Sequence, residues 1–209
     1  MGIVMKTTRS YTMRVRAEQA EQTRLRISRA AVELAGERPL AACTLSAIAD
    51  RAGVSVQTVL RTFGSRDELF RQAMDRTSAE VRGERPIDAR DVPGSLGALV
   101  DHYERRGDMV LLLLGQEAWE PLAAAAVGMG KGLHRDWVAT LFAPALDPMP
   151  DDLRERTVDL LVAATDVFAW KLWRRDLART RDETLDRMLE LVTAVVDRIR
   201  PVGGPTTHT

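Results

Sequence analysis

The stretch TLSAIADRAGVSVQTVLRTFGSRDEL, residues 44–69, predicts two short helices joined by a tight turn, with a third helix starting directly behind them. Apolar residues recur in it at the spacing of one helical face, first behind Thr44 and again behind Ser55. Both hydroxyl side chains can cap a helix by accepting a hydrogen bond from a free backbone N–H. Gly53 lies between the two helices, where the chain often needs a positive φ.

A short helix, a glycine-containing turn and a second short helix form the helix-turn-helix pattern. Such a unit presents its second helix at the surface, where it fits the major groove of DNA. The same spacing also suits three helices packed in an ordinary core, so spacing alone leaves both interpretations open. Ser65 and Glu68 have the spacing of a capping box at the start of the third helix. The second helix is predicted to have an apolar face formed by Val56, Val59, Leu60 and Phe63.

The stretch also resembles the helix-turn-helix of the TetR family of transcriptional regulators. The matching positions are Thr44, Ile48-Ala49, Ala52-Gly53-Val54-Ser55, Thr58, Phe63, Ser65-Arg66 and Glu68-Leu69. The family often has Gly, Tyr and His where this chain has Gln57, Leu60 and Thr62. The resemblance implies an all-α protein with a three-helix DNA-binding head, a bridging fourth helix and a helical body that encloses a small molecule.

The residue types at the N-terminal end of the second helix suit contacts to bases. Gln57 can pair with adenine through both amide atoms, and the methyl groups of Val56 or Thr58 can contact that of thymine. Arg61 and Thr62, together with Arg66, suit phosphates. The predicted DNA-binding residues are Thr44, Ser55, Val56, Gln57, Thr58, Arg61, Thr62 and Arg66.

Charge is spread unevenly along a chain whose formal net charge is zero. Residues 1–64 contain 10 Lys and Arg against 5 Asp and Glu, whereas residues 86–209 contain 15 against 20. A basic N-terminal third on an acidic body suits a protein that presents one end to a polyanion such as double-stranded DNA.

The single cysteine, Cys43, excludes an intrachain disulfide and is expected to be a small buried thiol. The N-terminal residues lack the apolar core of a secretory signal, and no apolar run approaches the roughly 20 residues that span a bilayer. We therefore expect a cytoplasmic protein with no membrane segment.

Changes in composition divide the chain into five predicted parts. Residues 1–16 form a basic flexible arm, residues 17–64 the DNA-binding domain and residues 65–85 a bridging helix. Residues 86–201 form the ligand-binding and dimerisation domain, and residues 202–209 a flexible tail. Apolar periodicity predicts about nine helices in total, and no alternating run indicates a strand.

Helices of the body are predicted at 96–106, 109–119, 121–146, 153–177 and 182–200. Gly107-Asp108 is expected to separate the first two, and three glycines interrupt the third. These glycines belong to the segment GMGKG, residues 128–132, which resembles a phosphate loop but lacks its spacing and its preceding strand. The histidines are too widely spaced for paired metal ligands. The sequence thus predicts no catalytic residues, cofactor or metal, and a protein that is not an enzyme.

Two further sets of residues are predicted in the body. The residues that would line a ligand cavity are Met109, Leu113, Trp119, His134, Trp137 and Trp170, although the same residue types also suit an ordinary core. The last two helices have broad apolar stripes that could form a four-helix bundle in a homodimer. The predicted interface residues are Leu161, Ala164, Phe168, Leu185, Met188, Leu189, Val192 and Val196.

Together these features predict a dimeric, sequence-specific transcriptional regulator that binds a palindromic operator. Repression that is relieved by a small-molecule effector is the main interpretation. A regulator without a ligand, an activator, and a helical enzyme or small-molecule-binding protein whose helix-turn-helix is only structural remain alternatives.

Overall fold

The computed structural model describes residues 4–199, which contain ten α-helices and no strand. The helices are α1 (Val4–Glu37), α2 (Leu45–Ala52), α3 (Val56–Phe63), α4 (Arg66–Glu84), α5 (Val92–Leu114), α6 (Pro121–Leu141), α7 (Ala143–Leu146), α8 (Asp151–Thr165), α9 (Val167–Lys171) and α10 (Arg181–Ile199). A 3-10 turn, Leu40–Ala42, follows α1, and a π-helical turn, Leu172–Asp176, follows α9. The predicted all-α fold is confirmed.

The head consists of α1, α2 and α3 with the start of α4. Its core is apolar and almost fully buried, and includes Ile27, Ala31, Leu34, Cys43, Ile48, Val59, Phe63 and Leu69. The expectation that Cys43 is a buried thiol is confirmed, and this burial raises the pKa of the thiol.

The first helix, α1, includes most of the predicted flexible arm. It begins at Val4, so the described part of the arm, residues 4–16, is helical rather than flexible. No Gly or Pro occurs between Gly2 and Gly36, and a helix without breakers gains one backbone hydrogen bond for each added residue. Residues 1–3 of the arm and the predicted tail, 202–209, lie outside the described residues.

The predicted break at Gly107 in the body is wrong, because α5 runs through it without interruption. Gly107 is buried, and a Cβ built on it would lie only 2.6 Å from Cη2 of Trp170. The glycine therefore makes room for an indole on a neighbouring helix instead of ending its own. Helix α6 likewise continues through its three glycines.

The predicted helix 153–177 is divided in two. Asp166 has an extended backbone, with ψ 157°, and its carboxylate caps α9 by accepting a hydrogen bond from Phe168 N. Helix α8 packs on α6 and α10, and α5 packs on α6, α9 and α10 around a second apolar core. None of the helices among residues 4–199 has the length and apolar character needed to cross a bilayer.

Head and body share contacts through α4 and α6. Ala123 of α6 is fully buried in the core of the head, and Gln116 Oε1 accepts a hydrogen bond from Leu40 N at 2.8 Å. At the far end of α4, Glu84 accepts hydrogen bonds from Arg106 and is 2.8 Å from His102 Nδ1. A movement of α4 would therefore change contacts in both the head and the body.

Candidate nucleic-acid interface and body cavity

Two side-chain caps and one glycine form the corner of the helix-turn-helix. Oγ1 of Thr44 accepts from Ala47 N at 3.2 Å, and Oγ of Ser55 accepts from Thr58 N at 3.1 Å. Gly53 has φ +65°, and its N–H donates to the carbonyls of the last turn of α2. These local bonds fix the corner between α2 and α3 without help from the body.

Only half of the predicted capping box of α4 forms. Ser65 Oγ accepts from Glu68 N at 3.1 Å. The Glu68 carboxylate instead pairs with Arg71 and accepts from Gln72 Nε2 at 2.6 Å. The serine is thus sufficient to start the helix, while the glutamate pairs one turn further on.

Helix α3 buries a narrower face than predicted. Val59 and Phe63 are in the core, whereas Val56 is 37% exposed and Leu60 is 40% exposed. Gln57 and Arg61 are also exposed. The surface of α3 therefore combines an amide, a cation and two apolar side chains, which are the groups that read bases and contact phosphates in a groove.

The guanidinium of Arg66 bonds to the head itself, and its predicted phosphate contact stays a prediction. Nε donates to Cys43 O at 2.9 Å, and Nη2 donates to Leu40 O. The guanidinium also stacks over the ring of Phe70, 5.1 Å from its centroid. This side chain therefore bonds the carbonyls at both ends of the 3-10 turn, of which Leu40 O also accepts from Cys43 N.

We expect Arg66→Met to lower the free energy of unfolding by about 1–3 kcal/mol, because Cys43 O loses the Arg66 donor and Leu40 O keeps only the N–H of Cys43. Arg61→Met is the matched control, since Arg61 is exposed in the same unit. Urea unfolding and operator binding at several salt concentrations would be measured for both. Arg61→Met should leave stability nearly unchanged and lower the salt dependence of DNA binding by about one phosphate contact. The reverse pattern would contradict this assignment.

Sequence reasoning missed Arg24. Its guanidinium lies over the Phe63 ring, 4.9 Å from the centroid, and donates to Gln72 Oε1 and Thr62 O. It borders a shallow groove between α1 and α3, together with Thr58, Arg61 and Thr62. The spacing of apolar residues along the chain gives no indication of this tertiary contact.

The body contains a cavity of about 390 Å³ at its junction with the head. Its walls come from α1, α4, α5, α6 and α9, and most of the lining is apolar. Met109, Leu113 and His134 line it, as predicted for a ligand site, and Phe168 of the predicted dimer set also lines it.

The three tryptophans of the predicted ligand set are not among the lining residues. Trp119 is 71% exposed in the turn after α5. Trp137 is buried, stacks with His134 and donates through Nε1 to Arg85 O at 3.1 Å. Trp170 is fully buried, and its Nε1 donates to Glu104 Oε1 at 2.8 Å. Helical spacing could not separate these core and surface positions from lining positions.

Burial determines the protonation of the histidines beside the cavity. It lowers the pKa of His102 to about 4, although the hydrogen bond to Glu84 opposes this shift. Burial also lowers the pKa of His134 to about 4. Arg106 holds the pKa of Glu84 at about 2. Both imidazoles are therefore neutral at pH 7, and that of His102 lies beside the ionised carboxylate of Glu84.

Half of the predicted dimer residues are part of the protomer's own core. Leu161 and Met188 are fully buried, and Ala164 and Val192 are nearly so. Their side chains cannot reach a second copy. Phe168, Leu185, Leu189 and Val196 are at least partly exposed. The larger exposed apolar side chains of α8 and α10 are Leu153, Leu160 and Leu191.

Comparisons with known proteins agree with the form of the head. Residues 27–73 match the model of the bacterial regulatory proteins, tetR family. The HTH-type transcriptional repressor SCO4008 of Streptomyces coelicolor is 26% identical over 104 residues, which cover 50% of this chain and 52% of that protein. The chain thus matches about half the length of this relative.

Two solved structures have a similar fold. A transcriptional regulator from Rhodococcus sp. Rha1 superimposes with a TM-score of 0.64 at 18% identity, covering 84% of this chain and 96% of that one. A TetR transcriptional regulator from Rhodococcus sp. RHA1 gives a TM-score of 0.53 at 19% identity, covering 86% and 99%. The likeness to both extends from the head into the body, and it concerns the fold alone.

Proposed function

Because the chain belongs to the tetR family of bacterial regulatory proteins through its N-terminal head, we propose that it is a DNA-binding repressor released by a small molecule. The DNA-binding part of this proposal rests on the exposed surface of α3. Gln57 and Arg61 extend from a helix whose position is fixed by the Ser55 cap and by the buried Val59 and Phe63. A rigid short helix with such groups fits the major groove.

Release by a ligand is supported by the position of the cavity. Val32 and Ala35 of α1 line it on the side of the head, and Phe70 and Met74 of α4 line it along the bridging helix. The N-terminal end of α4 packs against α3. A molecule in the cavity thus touches the elements that position α3, and it favours a state whose head is misplaced for the groove.

A homodimer is the assembly that we propose for DNA binding. Helices α8 and α10 pack on each other, and Leu160 and Leu191 are each 44% exposed on them. Two such helix pairs can form a four-helix bundle across a two-fold axis. The two heads would then lie about 34 Å apart, or a multiple of this distance, on a palindromic operator.

Selection of bound duplexes from a random DNA pool by the purified protein would test the proposal. We expect a palindromic consensus, which a sequence-specific dimer requires. Binding without enrichment of any sequence, abolished by moderate salt, would contradict it and favour a helical protein whose helix-turn-helix is only structural. The selected duplex then serves as the probe for ligands.

On that duplex, Gln57→Ala is expected to relax the preference at one base pair of each half-site. The loss should be about 1–3 kcal/mol on the preferred sequence and close to zero on sequences that already differ there. Titration of the consensus and its single-base variants measures this difference. An equal loss on every sequence would show that Gln57 positions the backbone rather than reads a base.

A further inference from the structure

Arg85 is a buried cation in the largely apolar wall of the cavity. It directly follows α4, lines the cavity and is only 6% exposed. Its carbonyl accepts the hydrogen bond from Trp137 Nε1, so its backbone is fixed against the core of the body.

Among the side chains that the structure describes, none forms a hydrogen bond or an ion pair with the guanidinium of Arg85. Its Nε is buried without a hydrogen bond, and no described carboxylate forms an ion pair with it. The other two basic residues that line the cavity are paired, Arg106 with Glu84 at 2.7 Å and Lys131 with Glu117 at 2.7 Å. The described lining therefore contains one cation without an ion pair, Arg85, and one carboxylate without an ion pair, Asp166.

The neighbouring polar groups have other partners. Asp166, the one acid in the described lining, accepts from Phe168 N at 2.9 Å. Tyr103 donates its hydroxyl to Thr165 O at 3.1 Å. Glu84, beside Arg85 in sequence, is bound by Arg106 and His102. None of them forms a hydrogen bond or an ion pair with the Arg85 guanidinium; burial lowers the pKa of Arg85, and the nearby charge of Glu84 offsets only part of this shift.

An uncompensated buried charge lowers the stability of a protein, and an anion that pairs with it relieves this cost. We propose that Arg85 binds the anionic oxygen group of an amphipathic effector, such as the carboxylate of a fatty acid, whose apolar part fills the rest of the cavity. This inference rests on the proposed function, since it names the chemical class of the releasing ligand. Because Arg85 lies at the end of α4, the ion pair forms where the bridging helix meets the body.

Calorimetric titration of the full chain with decanoate, and with decanol as its neutral match, would test the assignment. We expect saturable decanoate binding at least about tenfold tighter than that of decanol, because only the carboxylate can form a charge-assisted pair. Arg85→Met should remove this preference, and Arg85→Lys should retain most of it. Without ligand, Arg85→Met should have a higher melting temperature than the parent protein. Added decanoate should raise the melting temperature of the parent protein but not that of Arg85→Met.

Equal affinity for decanoate and decanol would overturn the proposal, and so would the absence of saturable binding of either compound. A preference for decanoate that persists in Arg85→Met would also overturn it. A lower melting temperature of ligand-free Arg85→Met would also overturn it, since the guanidinium would then be paired. The same titrations with the selected duplex present separate this inference from the proposed function. If decanoate binds but DNA stays bound, the site at Arg85 is supported and ligand release is contradicted. If decanoate and decanol both release the DNA, ligand release is supported and the role of Arg85 is contradicted.

Discussion

Replacing Trp170 by alanine is expected to lower the free energy of unfolding by about 3–5 kcal/mol. The indole is fully buried, packs against Gly107 of α5 and donates to Glu104 Oε1. On its outer face, the Arg175 guanidinium lies 4.4 Å from the ring centroid. Alanine would leave a cavity between α5 and α9 that the surrounding helices cannot close, because Gly107 has no side chain to fill it.

Trp119→Ala is the matched control for this prediction, since the same side chain is removed at a position that is 71% exposed. Its effect should stay within about 0.5 kcal/mol. Thermal unfolding at one protein concentration is sufficient, because each kcal/mol corresponds to about 2–4 °C for a chain of this size. Similar melting temperatures for the two variants would contradict the assignment of Trp170 to the core.

Lowering the pH from 7 to 5 is expected to reduce the free energy of unfolding by roughly 2 kcal/mol for each of two histidines. Burial lowers the pKa of His102 and of His134 from 6.5 to about 4 in the folded protein. Between these values the unfolded chain binds more protons than the folded one, so stability is lost as the pH falls. The charges around them are those of Glu84, Arg85 and Arg106.

Urea unfolding measures this contribution when it is carried out at several pH values between 7 and 5. The parent protein is compared with the double variant His102→Gln/His134→Gln. The pKa of Glu84, about 2 in the folded protein, affects stability only below pH 4.5. Burial raises the pKa of Asp166, so its protonation stabilises the folded protein as the pH falls. This contribution is the same in the parent protein and the double variant. The variant should show the flatter profile. Parallel profiles would mean that neither imidazole is kept neutral by burial.

Much of the head could be predicted from the sequence, because its structure is made by local interactions. The caps of Thr44, Ser55 and Ser65 and the positive φ of Gly53 each involve residues only a few positions apart. Propensity and spacing report directly on such contacts. The contacts of Arg66 within the head could not be predicted for the opposite reason, since its partners Leu40 and Cys43 lie 26 and 23 residues away.

In the body, periodicity identified helices but not their ends or their neighbours. Gly107 is a helix breaker by composition, yet it lies within α5 because an indole from another helix occupies its space. Trp119, Trp137 and Trp170 were predicted together and are found, respectively, exposed, buried against Arg85 and buried against Gly107. Residue type alone does not distinguish these environments.

The sequence by itself determined the helical class of this protein and the form of its helix-turn-helix, since both depend on contacts within a turn or two of chain. Only the tertiary structure decided which apolar side chains fill the cores, which line the cavity and which stay exposed. It alone brought Arg85 into the cavity wall without an acidic partner. The packing of helices distant in sequence creates such environments, and no local pattern encodes them.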